Sequence, residues 1–121
     1  MQIAQKNFYK KFLGRAGELK AAEFLKKKGF KILKTNYKTY CGEIDIIALD
    51  GENVVFIEVK TRSGEDYGLP SEAVTAKKRE KYYKVASEFL QRERKTDCPC
   101  RFDVIEIENG QINHIIDAFS M

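Results

Sequence analysis

The apolar positions along the chain follow two rhythms. Over residues 14–28, GRAGELKAAEFLKKK, apolar and small side chains recur at helical spacing, and Gly29 follows a lysine-rich last turn as a C-cap. Residues 31–40 read as a mixed strand, while 43–49 and 53–62 alternate with period two and predict strong strands joined through Asp50-Gly51. Residues 63–72 read as loop. A second helix is predicted over 76–95, with Thr75 as N-cap and Val85, Ala86, Phe89 and Leu90 along its buried stripe. Strands over 101–108 and 111–117 flank the turn pair Asn109-Gly110. The order is αβββαββ, which implies an α/β fold with a mixed sheet flanked by helices. No linker or repeat divides the 121 residues, so one domain is expected, with 1–13 a flexible or helical N-terminal arm.

The hairpin's register follows from its apolar faces. Ile44, Ile46 and Ala48 alternate in one strand, and Val55, Ile57 and Val59 in the next. Burying both sets together requires antiparallel partners whose numbers sum to an odd value, such as 49 with 54 and 45 with 58. The other face then collects Glu43, Asp45, Ile47 and Leu49 with Val54, Phe56, Glu58, Lys60 and Arg62. Asp45 and Glu58 fall opposite or diagonal, roughly 5–8 Å apart at Cβ.

Charge sharpens this picture. Residues 1–38 carry eleven Lys/Arg against two acids, and residues 39–75 carry two against eight. Residues 76–101 carry nine against four, so an acidic middle lies between two basic blocks. Two readings fit: solvated helix faces, or a basic surface for phosphates around a cation site. No apolar run approaches the roughly 20 residues that span a bilayer, and no membrane partner is expected. The N-terminus lacks signal-peptide features. Three cysteines are too few for a disulfide framework, so a reducing, cytoplasmic location is the simplest expectation.

Two facing carboxylates in a half-buried strand pair repel each other unless something neutralises them. A divalent cation does so, and Mg²⁺ prefers one or two carboxylates plus waters and phosphate oxygens. Lys60, beside Glu58, would then steer a water or stabilise negative charge on a phosphoryl group in transfer. The competing reading is a structural ion pair, Asp45–Lys60 or Glu58–Lys60. Glu18 lies on the first helix beside Ala21, Ala22 and Leu25, one turn after Gly14. It is either the polar edge of that apolar stripe or a third acid reaching the same site.

These residues give the chain its resemblance. With G-x-x-G-E-L-K-A-A at 14–22, Asn36, G-E-I-D-I-I-A at 42–48, F-I-E-V-K-T-R at 56–62, R-F-D at 101–103 and D-A-F at 117–119, it resembles the PD-(D/E)xK nuclease superfamily. It is similar in particular to the bacterial YraN-type family of predicted endonucleases, related to archaeal Holliday junction resolvases. Ile44 stands where the superfamily's name places proline. The resemblance implies a restriction-endonuclease-like core. It implies a Mg²⁺ or Mn²⁺ site of Glu18, Asp45 and Glu58, with Lys60 as catalytic lysine and Glu43 and Arg62 in support. DNA, branched or duplex, is the implied substrate, with Arg15, Lys38, Arg62 and Lys78 along its backbone and the Val59 carbonyl assisting the metal. Junction resolution would need two sites, hence a homodimer. The alternative is an accessory protein that binds nucleic acid without cutting it.

Other chemistries find less support. Cys98-Pro99-Cys100 with Cys41 and the single histidine, His114, departs from zinc-ligand spacing. No Gly-rich phosphate loop is present, and Ser-His-Asp chemistry has only that one histidine to draw on. Tyr67, Tyr82 and Tyr83 are expected to pack rather than to stack bases.

Overall fold

A computed structural model describes residues 2–62 and 75–120, with side chains from residue 14 onward. The segment 63–72, read above as loop, and Tyr67 within it lie outside the described residues. Helix α1 spans Gln2–Lys27, so the N-terminal arm continues the helix begun by its motif. Strands β1 (Lys31–Thr39), β2 (Gly42–Asp50) and β3 (Asn53–Arg62) follow, then helix α2 (Ala76–Arg92) and strands β4 (Cys100–Glu108) and β5 (Gln111–Phe119). The order αβββαββ is as expected.

The strands form one sheet in the order β1-β2-β3-β4-β5. All neighbours are antiparallel except β3 and β4, which run parallel and are joined by the α2 crossover. Helix α1 lays Ala21, Ala22 and Leu25 on Ile46, Ala48, Val55, Ile57, Ile105 and Ile107. Helix α2 lays Tyr82, Val85, Ala86 and Phe89 on Ile44, Ile47, Val54, Phe56, Phe102 and Val104. Both faces of β3 are therefore covered, which accounts for its unbroken apolar run from Val54 to Ile57.

Chain reversals explain where elements stop. Gly29 takes a left-handed φ of 96°, and the Phe30 and Gly29 N–H groups return to the Leu25 and Lys26 carbonyls at 2.9 and 3.0 Å. This Schellman cap then tucks Phe30 against the Leu25 cluster. Helix α2 ends at Arg92, three residues short of the expected 95, because Arg94 takes the same conformation (φ 54°) and closes an equivalent cap. No glycine announces that stop. At its start Thr75 is the N-cap, its hydroxyl accepting from the Lys78 N–H at 3.2 Å.

The hairpin pairs Leu49 with Val54 and Ile46 with Ile57, an odd sum as expected. Its two-residue loop is Gly51-Glu52 rather than Asp50-Gly51, since Asp50 still pairs with Asn53. One part of the alternation fails. Ile44 joins the α2-side cluster while Ile46 and Ala48 join the α1-side cluster. The change of facing occurs across Asp45.

Gly17 lets α1 approach the end of β3. A Cβ there would stand 2.2 Å from Thr61 Oγ1. That oxygen is buried without a hydrogen-bond partner among the described residues. Gly17→Ala should therefore lose about 1 kcal/mol net, overpacking outweighing the gain in helix propensity. Thr61→Ala removes the obstructing oxygen. In the Gly17→Ala background it should restore about 1–3 kcal/mol, yet be near neutral in the wild type. Urea denaturation of the four proteins checks this, and additive effects would refute it.

Candidate functional site

The pairing of β2 with β3 stops at Ile46↔Ile57, one step before Asp45. Beyond that point the Val59 N–H donates to Asp45 Oδ2 at 2.8 Å, so a carboxylate takes the place of a ladder carbonyl. On the β1 side, Thr35↔Ile46 and Tyr37↔Ile44 bracket Asn36 opposite Asp45. Asn36 adopts φ 50°, a left-handed conformation that asparagine tolerates better than most residues. The sheet is thus distorted on both sides of Asp45, and this distortion aims its carboxylate at β3 rather than along the regular pleat.

Glu58 follows on β3, only 6% exposed. The Lys78 ammonium from α2 donates to its Oε1 at 2.6 Å. Neither ion pair considered for Lys60 forms. Lys60 is exposed on the same strand with no ion pair among the described residues.

Burial and the adjacent Glu58 charge push Asp45 up to about 7, against the opposing bond from the Val59 N–H. The Glu43 charge and a further side-chain interaction with Glu58 add to the rise. Glu18 is also raised, first by burial and then by the Asp45 charge, while a hydrogen bond with Asn36 works the other way. Glu18 Oε2 is buried and unpaired among the described residues. Glu58 and Glu43 thus act on Asp45, and Asp45 and Glu43 act on Glu18.

This donor set suits a hard divalent cation. Asp45 and Glu58 supply the one or two carboxylates that Mg²⁺ takes from protein, and the unpaired Glu18 oxygen is a further hard donor near Asp45. Among the described residues no three His, Cys, Asp or Glu side chains are grouped so that they could hold a metal ion together, so Glu18, Asp45 and Glu58 do not form a three-acid cluster. The fit is to an open site completed by water, with two carboxylates at its centre.

The remaining sequence candidates separate into two groups. Arg15 is exposed and lines, with Glu18, Leu19, Thr35 and Asn36, a cavity of about 180 Å³ beside α1. Lys38 is exposed on β1, paired in register with Glu43. Arg62, expected at a phosphate, is instead 8% exposed, with its Nε 3.0 Å from Glu106 Oε2. Lys78, also expected on a nucleic-acid backbone, is held by Glu58. Its residue type marks a cation but does not identify Glu58 as the partner. Asn36 stood in a motif without a role, and its left-handed turn beside Glu18 supplies one.

A second polar cluster lies apart from these acids. Asp103, fully buried, receives Arg101 Nε and Nη2 at 3.0 and 3.3 Å, His114 Nε2 at 2.8 Å and the Asp117 N–H at 2.9 Å. The last donor is freed by a β5 bulge opposite Asp103, where Asp117 has φ 56°. Lys28 donates to His114 Nδ1 at 2.9 Å, which leaves Nε2 as the protonated nitrogen facing Asp103. His114 packs its edges on Phe24 and Phe30 at the α1 side, whereas Cys41, Cys98 and Cys100 pack on the α2 side. That separation rules out the zinc grouping. Tyr82 is buried, and Tyr83 packs edge-on against Phe102.

With this geometry established, comparison with known proteins places the chain among related sequences. Residues 17–107, a span that includes Glu18, Asp45, Glu58 and Lys60, match the family model described as "Uncharacterised protein family UPF0102". The chain is 46% identical to a UPF0102 protein of Caldicellulosiruptor saccharolyticus, covering 89% of this chain and 92% of that one. It is 51% identical to one of Symbiobacterium thermophilum, covering 81% and 83%. A third, from Caldanaerobacter subterraneus subsp. tengcongensis, is 43% identical over 94% and 99% of the two chains.

Proposed function

We propose, for a chain that belongs to the uncharacterised protein family UPF0102, the function of a metal-dependent endonuclease hydrolysing DNA phosphodiester bonds on a restriction-endonuclease-like fold of the PD-(D/E)xK type. The observation that carries the reading is the Asp45 carboxylate held on the Val59 N–H, which sets it beside the buried Glu58, with Lys60 exposed two positions farther along β3. Glu58 takes its ion pair from Lys78 and not from Lys60. Here Lys60 is left facing solvent beside two acids that strain one another.

Asp45 and Glu58 would hold Mg²⁺ or Mn²⁺, with Glu18 as the further oxygen donor. When bound, such an ion polarises a phosphoryl oxygen and makes its water more acidic. Val59 positions Asp45 through its N–H. Lys60 would orient the attacking water and hold the negative charge that grows on the phosphate oxygens in the transition state. Arg15 and Lys38, both exposed, would track the nucleic-acid backbone. Arg62 would act from behind, keeping the end of β3 in place through Glu106.

Cleavage assays on labelled four-way junction, flap, single-stranded and linear duplex DNA, with Mg²⁺ or Mn²⁺, test the reading. The wild type should cut at least one substrate. Lys60→Ala should cut it about 10²-fold more slowly, the scale of losing one preorganised charge stabiliser. Metal and DNA binding without any cutting would establish the accessory, non-catalytic role instead. Cutting unaffected by Lys60→Ala would remove the assigned mechanism.

A further inference from the structure

The Lys78–Glu58 pair has a role beyond holding α2 to the sheet. At 2.6 Å it places a full positive charge on a carboxylate that the proposed metal site needs. We propose that Lys78 is the resident counter-cation of the metal-free site, and that a divalent ion binds only by displacing its ammonium from Glu58. The inference rests on the nuclease reading of Asp45 and Glu58 and adds the residue that sets their metal affinity.

The asymmetry of the pair supports displacement. The Glu58 side chain is 8% exposed, while that of Lys78 is 44% exposed. Lys78 therefore approaches from solvent and can return there, whereas Glu58 cannot. The Lys78 backbone is anchored, because its N–H donates to the Thr75 hydroxyl of the N-cap. Movement is thus confined to the side chain. Room for that movement exists in a cavity of about 410 Å³ between the start of β2 and the start of α2, lined by Lys78 itself. Glu43 lines the same cavity and offers the departing ammonium another carboxylate. Lys77 and Lys81 also line it, so a displaced Lys78 would join two further ammonium groups beside the site.

Charge makes coexistence on Glu58 unfavourable. A divalent ion and an ammonium at one carboxylate repel, and the buried setting weakens screening between them. Lys78 thus lowers metal affinity in the free protein. It also removes part of the Asp45–Glu58 repulsion when no metal is present.

Mn²⁺ titration of the full chain without DNA, followed calorimetrically and by electron paramagnetic resonance, tests this directly. Lys78→Met should bind Mn²⁺ on the order of tenfold more tightly than the wild type, the scale of one charge-assisted hydrogen bond no longer in competition. Lys78→Gln, which can still bond to Glu58 without a charge, should fall between them, and it serves alone if the methionine variant does not fold. Asp45→Asn should lose binding. Unchanged or weaker Mn²⁺ binding by the Lys78 variants, with Asp45→Asn still abolishing it, would overturn the role of Lys78 and leave the metal site standing. No Mn²⁺ binding at millimolar concentration by any of these proteins would overturn both.

Discussion

Asp103→Ala should lower the stability of the protein by about 3–5 kcal/mol, the range found when one partner of a buried ionic network is removed. Asp103 is fully buried and receives four hydrogen bonds on two oxygens, from Arg101, His114 and the Asp117 backbone. Alanine would strand all of these donors. Arg101 would keep only Asp50, at 2.9 Å, and its place over the Phe30 ring. The His114 N–H would lose its Asp103 acceptor in a buried setting. Asparagine should be nearly as damaging, because its amide would turn two protons toward groups that themselves donate. A loss of this size is a large fraction of the roughly 5–15 kcal/mol that holds a domain folded. Thermal melting should show a fall of roughly 10–20 °C for a chain of this length.

The pH dependence distinguishes the network from simple packing. Burial alone would raise Asp103, but the hydrogen bonds from His114, Arg101 and Asp117 outweigh it and hold the carboxyl below its usual value. Its folded pKa is therefore depressed, so its contribution is present above the unfolded carboxylate range and is lost as pH falls through the folded value. Wild type and Asp103→Ala should accordingly converge in stability below about pH 4. A constant difference down to pH 2 would mean that alanine costs packing rather than charge.

The parts of this molecule legible in its sequence are those governed by local rules. Period-two alternation and a glycine turn placed Leu49 opposite Val54, and Gly29 marked the end of α1. The same alternation carried Asp45 toward Glu58, since both were needed to keep two apolar faces intact. What escaped depends on exceptions to those rules. Arg94 ends α2 in a left-handed conformation with no glycine to signal it, and the β5 bulge at Asp117 has no compositional mark at all. Ile44 breaks the alternation because Asn36 and Asp45 distort the two strands where they face one another. The long side chains were least legible. Arg62 and Lys78 read as surface cations by residue type, yet each reaches an acid from a different element, Glu106 on β4 and Glu58 on β3. Such pairs are fixed by tertiary packing, which composition and spacing do not encode.

Asp45→Asn should make the metal-free protein more stable while removing its response to metal. At pH 8 the wild type must ionise Asp45, whose pKa burial and Glu58 raise from 3.8 to about 7. A rise of that size corresponds to about 4 kcal/mol of destabilisation at most, and to ~2 kcal/mol once screening at this partly exposed carboxylate is allowed for. Asparagine carries no charge and its amide oxygen can still accept the Val59 N–H, so the strain is relieved and the bond kept. The variant should therefore melt several degrees higher than the wild type in EDTA at pH 8. The sign follows from the direction of the shift. A raised carboxylate destabilises above its folded pKa, and the penalty shrinks as pH falls from about 7 toward 4, where the unfolded chain also takes up the proton. The advantage of asparagine should shrink over that same interval. With Mg²⁺ the order reverses in kind. An ion at 100 times its dissociation constant stabilises the wild type by about 2.7 kcal/mol through mass action, and the variant should gain little and cleave no DNA. A variant less stable than the wild type in EDTA at pH 8 would show that the two carboxylates do not strain the fold. Equal stabilisation of both proteins by Mg²⁺ would show that Asp45 does not hold the ion. If instead removing the charge strengthens the fold and abolishes the metal response, the repulsion between Asp45 and Glu58 is maintained for the cation that relieves it.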